Sequence, residues 1–299
     1  MTPANLKTEL LLLVVLALLW GMSYLFIKVA VAEIPPITLI AIRVLGAAVF
    51  LLIVMLLRSE KLPRDQKTWR MLFVQAIFNS IGAWTVLAWG QQFVDAGLAS
   101  VLNSTSPIFV FLIMALLPRY QTHGRHKLVG AGIGFLGVVL IVGLDALNGL
   151  GAQFFGQLAC LAGALLYAGA AIYGSRFGHI SAVATATGTM VWASVVLVPL
   201  ALIADHPWVL RPSLEALAAT FVLSVFCTGV ALLIYFRLVR TLGAMGVASQ
   251  SYLRAGIGVV LGVVFLGEVI GPLVAMGLFA AMFGVAIINW PVKPKIQIP

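Results

Sequence analysis

Apolar residues in this chain come in long unbroken runs, and polar residues are confined to the short gaps between them. Ten runs are visible, at roughly 10–31, 36–57, 70–92, 97–117, 126–143, 154–175, 181–204, 213–236, 245–265 and 271–290. Each is close to the ~20 residues that carry an α-helix across the hydrocarbon of a bilayer. In lipid every backbone N–H and C=O must be satisfied within the segment, so runs of this kind predict helices. The expected fold is an all-α polytopic membrane protein with ten transmembrane helices. The gaps are too short to hold a separate soluble domain.

The runs form two matching sets of five. A shift of 147 residues places Leu18-Leu19 on Leu165-Leu166, Trp20 on Tyr167, Phe26 on Tyr173, Thr38 on Thr185 and Val44 on Val191. The same shift places Asn103-Ser104 on Gln250-Ser251, and Gly130 and Gly137 on Gly277 and Gly284. The predicted organisation is therefore a first five-helix repeat over 1–147 and a second over 148–299. Because five is odd, the second set has to enter the membrane from the opposite side. Inverted repeats of this kind are a common architecture of alternating-access carriers.

Charge supplies an independent reading of the topology. With the N-terminus inside, the inner segments hold Lys7, Arg58, Lys61, Arg64, Lys67, Arg70, Arg119, Arg125, Lys127, Arg176, Arg237, Arg240, Lys293 and Lys295, whereas the outer segments hold Lys28 and Arg211. This asymmetry predicts that both termini are cytoplasmic. The repeat-related segments 58–70 and 205–217 differ in basic residues, five against one, as inverted topology requires. The net charge of +9 follows from the same rule. It does not point to nucleic acid, because the basic residues are spread along one rim.

Composition agrees: apolar residues make up 62% of the chain, charged residues 9%, and the mean hydropathy is +1.12. A soluble domain carries about a quarter charged residues. The first run is too long for the apolar core of a signal peptide and no small-residue cleavage pattern follows it, so it is expected to be a retained span. Cys160 and Cys227 both fall inside runs and read as buried thiols. The acidic residues cluster at the run ends and none falls mid-span, which argues against an intramembrane proton relay and for facilitated transport.

Two motifs carry a family resemblance. The first run contains Leu19-Trp20-Gly21-Met22-Ser23-Tyr24, and the ninth is followed by Leu266-Gly267-Glu268 and then by a glycine-rich run with Gly277 and Gly284. With the 5+5 arrangement, these resemble the drug/metabolite transporter superfamily of EamA type, across nearly the whole chain. Within it the chain is most similar to YddG-type exporters of aromatic and other neutral amino acids. The first half departs from the pattern, reading Arg119-Tyr120-Gln121 where the second reads Leu266-Gly267-Glu268, and Pro107 aligns with Arg254.

A carrier needs a polar site near mid-bilayer. The fourth run has Asn103-Ser104-Thr105-Ser106-Pro107 at its centre, where Pro107 predicts a kink and a freed carbonyl at Asn103. The ninth run has the related cluster Gln250-Ser251-Tyr252 and then Arg254, ~12 Å deep at 1.5 Å per residue. Arg254 either pairs with a substrate carboxylate or snorkels to the rim. Arg43 has the same two readings and is expected nearer the outer rim. Trp20, Tyr24 and Tyr167 offer aromatic faces, and Asn79 follows Gln75 by one turn. The substrate-binding candidates are therefore Trp20, Tyr24, Asn79, Asn103, Ser104, Tyr167, Ser251, Tyr252 and Arg254, with Pro107, Gly21 and Gly169 as bending points.

The Gly130-Ala131-Gly132-Ile133-Gly134 pattern and the glycine-rich tenth run allow close helix approach. The fifth and tenth spans are expected at the periphery, where they pack on their own halves or form a homodimer. No catalytic motif is present, so an enzyme is not expected, nor is a cofactor or metal. A channel would require a continuous polar pore. The expected function is export of small amphiphilic metabolites, with aromatic and neutral amino acids ahead of drugs or other cargo, across the inner membrane.

Overall fold

In the computed structural model the described residues are 6–116, 125–147, 151–178, 180–241 and 250–288, and among them every regular element is a helix. The chain begins with α1 (Leu6–Val31) and α2 (Pro36–Leu57). The third rod is α3 (Gln66–Ala76), a π-helical turn (Ile77–Gly82) and α4 (Ala83–Gly90). The fourth is broken into α5 (Ala96–Asn103) and α6 (Ser106–Leu116). There follow α7 (Arg125–Leu147), α8 (Ala152–Gly174) and α9 (Ala182–Ala204). The next rod is α10 (Leu214–Ser224), a second π turn (Val225–Val230) and α11 (Ala231–Thr241), and then come α12 (Gln250–Leu266) and α13 (Pro272–Ile288). Arg119, Trp290, Lys293 and Lys295 lie outside the described residues, as do the side chains of Ser251 and Tyr252.

Seven helical segments among the described residues are long and apolar enough to cross a bilayer. Three further apolar stretches, Leu128–Leu140, Leu253–Leu266 and Pro272–Gly284, are shorter. The surface is inverted relative to that of a water-soluble protein. Phe135, Leu136, Phe221, Val264, Phe279 and Phe283 each expose more than half of their area, while Arg43, Ser80, Gln91, Asn103, Thr187 and Thr228 are buried. Water would penalise such an apolar exterior, whereas lipid wets it. The protein is a multi-pass membrane protein.

The helix bounds follow the 147-residue shift. It carries Pro36–Leu57 onto 183–204, where the structure has Ala182–Ala204, and it carries the first π turn onto 224–229, where the structure has Val225–Val230. The helices pair across the two halves: α7 with α13, α2 with α9, α1 with α12 and α10, α4 with α8, and α5 with α12. Gly137 and Gly284 are used inside the α7–α13 pair. A Cβ on Gly137 would meet the Gly277 carbonyl at 2.6 Å, and one on Gly284 would meet the Gly130 carbonyl at 2.5 Å. A homodimer through this pair therefore has to use outward-facing side chains such as Phe135 and Phe279.

Acidic side chains hold the helix ends. Asp65 and the hydroxyls of Ser181 and Ser213 cap their own helices at Thr68, Ala184 and Ala216. Others cap a neighbour, where the first-turn N–H groups lack partners and the dipole favours a negative charge. Asp205 Oδ2 accepts from the N–H and hydroxyl of Thr38 at 2.9 and 2.7 Å, in the first turn of α2. Glu33 accepts from Ser213 at 2.6 and 2.7 Å. The Ser213 N–H, and next its hydroxyl, hold the Glu33 carboxyl below the usual carboxylate range. Glu60 accepts from the Ser181 hydroxyl at 2.5 Å.

Glu268 is the most specific of these caps. Gly267 takes φ +66° and turns the chain back after α12, a conformation glycine adopts without steric cost. Glu268 then accepts from the N–H groups of Ala96 and Gly97 at 2.6 and 2.9 Å, at the start of α5. Gly97 and Gly262 leave room for the carboxylate; a Cβ on Gly97 would come within 3.0 Å of it. Glu268→Ala is expected to cost about 1–2 kcal/mol, the usual worth of a helix N-cap with dipole assistance. Gly262→Ala should cost a similar amount in the native chain and much less once Glu268 is gone. Thermal unfolding of the four proteins in detergent checks this; additive effects would refute the proposed contact.

Candidate functional site

The break in the fourth rod is where the site begins. Pro107 stands in the first turn of α6 and has no N–H to return to Asn103. The freed Asn103 carbonyl is taken by the Ser106 hydroxyl at 2.7 Å. Thr105 and Ser104 likewise bond back to the carbonyls of Leu102 and Ser100 at 2.6 and 2.7 Å. The hydroxyls thus stabilise the break and keep their lone pairs for other groups. The Asn103 side chain points inward and donates to the Tyr24 hydroxyl on α1 at 2.7 Å. Its own Oδ1 is buried without a partner.

Arg254 reaches the same point from α12. One terminal nitrogen lies 3.5 Å from the Ser104 hydroxyl, at the outer limit of a hydrogen bond, and Nε is buried without a partner. Gly21 makes this approach possible, because a Cβ there would fall on Ile257 and within 3.2 Å of the Arg254 carbonyl. Ser100 adds a 3.3 Å contact to the Ala255 carbonyl. Below Tyr24, the buried Gln91 amide donates to the Tyr24 carbonyl at 2.9 Å.

A second cluster surrounds Arg43. Arg43 on α2 is 4% exposed; its Nε donates to the Thr228 hydroxyl at 2.9 Å, and its guanidinium lies 3.9 Å over the Trp84 ring. The Trp84 indole N–H donates to the Tyr167 hydroxyl. Ser224 donates to the Arg43 carbonyl at 2.9 Å. The π turn shapes this side, since Thr228 donates to the Leu223 carbonyl five residues back, at 2.8 Å. Tyr167 joins this second cluster through its bond to Trp84.

The structure therefore brings together Tyr24, Asn103, Ser104 and Arg254 from the sequence candidates, and sets Tyr167 against Trp84 in the second cluster. It puts Trp20 against Tyr235, with ring centroids 5.4 Å apart, in an apolar cluster with Leu16 and Leu238. Asn79 bonds to its neighbour Ser80 at 3.0 Å on the first π turn. Gly169 lies under the Phe78 ring. The backbones of Ser251 and Tyr252 open α12, and their side chains lie outside the described residues.

Arg43, expected nearer the outer rim, stands seven residues into α2 from Pro36, where it is buried and stacked on Trp84. Thr220, Ser224 and Thr228 are spaced as one polar face of their rod, and in the fold two of them bond to Arg43, which lies 185 residues from Thr228. An arginine interrupting an apolar run is the signal that was available, and it is the same signal that marked Arg254.

Taken together, the arrangement offers two guanidiniums, several neutral donors and aromatic surfaces inside an apolar shell. A guanidinium can grip a carboxylate, and an aromatic face can stack on an apolar group. A profile of the EamA-like transporter family matches the chain twice, over residues 7–143 and 154–290. The chain is 27% identical over 286 residues to the uncharacterized inner membrane transporter YedA of Escherichia coli K12, covering 94% of this chain and 92% of that one. It is 28% identical over 293 residues to the uncharacterized transporter YvbV of Bacillus subtilis, covering 96% and 92%. A solved crystal structure shares the fold with a TM-score of 0.67 at 16% identity, covering 94% of this chain and 97% of the other. The helical architecture, the twofold match and these relatives lead to one conclusion: this chain belongs to the EamA-like transporter family.

Proposed function

We propose that the protein exports small amphiphilic metabolites, aromatic and other neutral amino acids foremost, by facilitated alternating access. The observation that carries this reading is the unpartnered Arg254 Nε beside Asn103, Tyr24 and Ser104. A guanidinium pairs with a carboxylate through its planar fork, and the Asn103 Oδ1 without a partner can accept from an ammonium. The Tyr167 and Trp84 rings supply a face for an apolar side chain.

The cross-half pairing of helices and the two repeat-related π turns support two five-helix repeats that rock about the shared polar core. The basic inner rim supports an inner-membrane placement with both termini cytoplasmic, the second repeat being inverted. Among the described residues the acidic side chains stand at helix ends, which supports transport without a carboxylate relay.

Proteoliposomes loaded with labelled amino acids, with and without a pH gradient, test the reading. Saturable flux of phenylalanine, tryptophan or leucine that equilibrates and ignores the pH gradient is expected. Flux of none of them, or accumulation driven by the gradient, would refute it.

A further inference from the structure

We propose that Arg43 is a second carboxylate-binding point, distinct from Arg254, to which the solute's anionic end passes during exchange; this rests on the carrier reading above. Arg43 is 4% exposed, yet among the described residues its side chain makes one hydrogen bond, from Nε to Thr228. Its terminal nitrogens donate to none of them. The acidic side chains nearest in sequence are engaged elsewhere, Glu33 with Ser213 and Glu60 with Ser181. A guanidinium buried without a counter-ion is costly to keep and invites one from outside.

The surroundings orient the group rather than neutralise it. Trp84 covers one face of the guanidinium, Thr228 holds Nε, and Ser224 holds the Arg43 carbonyl. Thr228 is itself aimed by its bond to Leu223 across the π turn. What stays free is the pair of terminal nitrogens, the part of the fork that a planar carboxylate grips with two parallel bonds. A single cation among aromatic walls suits a monocarboxylate better than a phosphate, which asks for several donors.

Position supports a hand-over. Arg43 sits seven residues into α2, about 10 Å from that end of the helix at 1.5 Å per residue, whereas Arg254 comes from α12 in the other half. One fixed charge would hold the anion in a single well, and two let it be bound in each open state.

The test uses the purified full-length chain in detergent, carrying Arg254→Gln so that the other anchor is silent, with phenylacetate and phenylacetamide as probes. The signal is the part of the tryptophan fluorescence that Trp84→Phe removes. Phenylacetate is expected to change it saturably, with phenylacetamide at least tenfold weaker and chloride failing to compete. Arg43→Gln abolishes the response, and Arg43→Lys, which keeps the charge and loses the fork, gives an intermediate one. Equal binding of acid and amide, or an unchanged response in a folded Arg43→Gln protein, overturns the proposal. Equal competition by chloride overturns it too, since the site would then be one for a small inorganic anion. The acid–amide comparison needs no change at Arg43 and stands even if that variant does not fold. Should the native chain carry no amino acid while phenylacetate still binds at Arg43, the functional reading falls and the anion point remains.

Discussion

Arg254→Gln is expected to lower amino-acid flux in proteoliposomes about 10–100-fold, the worth of a charge-assisted hydrogen bond of about 1.5–3 kcal/mol. It should leave folded yield and melting temperature nearly unchanged. The asymmetry comes from the geometry. Nε has no protein partner, and the contact to Ser104 is 3.5 Å long, so truncation of the charge breaks no strong internal bond. Removing a charge that lacks a counter-ion from a low-dielectric interior costs little stability and can raise it. Arg254→Lys, which keeps the charge without the fork, should fall between the two. Initial rates of labelled phenylalanine uptake, with thermal melts of the same preparations, separate the outcomes. A variant that unfolds, or one that transports as well as the native chain, would remove Arg254 from the solute site.

Gly284→Ala has the largest expected effect on stability. In an isolated helix this change stabilises by about 1 kcal/mol, because alanine is the better helix former. Here the new methyl would meet the Gly130 carbonyl at 2.5 Å and the Gly134 Cα at 2.6 Å, and backbone cannot turn aside as a side chain can. Helices α7 and α13 must separate, and overpacking of this kind costs about 1–3 kcal/mol. The expected sign is therefore opposite to propensity. Gly132, in the same glycine pattern, has nothing within 4 Å of a built Cβ, so Gly132→Ala should be neutral or slightly stabilising. Melting temperatures of the two variants in detergent decide the matter. Equal behaviour would show that the pair is not packed as described.

The relation between these glycines was half legible in the sequence. Their spacing predicted close helix approach, and the two spans were expected at the periphery, packed on their own halves or on another subunit. The packing of each on its own half is corrected by the structure, since the partner is the matching span of the other half, which spacing alone does not specify. The site shows the same division. Asn103 and Pro107 announce a polar break in an apolar run, and that much is local. Trp20 and Trp84 look alike in sequence, both being intramembrane tryptophans. In the fold Trp20 packs on Tyr235, while Trp84 lies under Arg43 and binds Tyr167.

What the sequence by itself determined is what lipid enforces segment by segment. A helix in hydrocarbon closes its own backbone hydrogen bonds, so apolar run length sets where helices stand, and the 147-residue recurrence sets which of them match. Tertiary structure alone decided which polar groups meet. Arg43 and Thr228 are 185 residues apart, Glu268 and Ala96 172, and Tyr24 and Asn103 79. No local propensity encodes such distances. They arise because a buried donor or charge must find its partner somewhere in the folded chain, whichever element carries it.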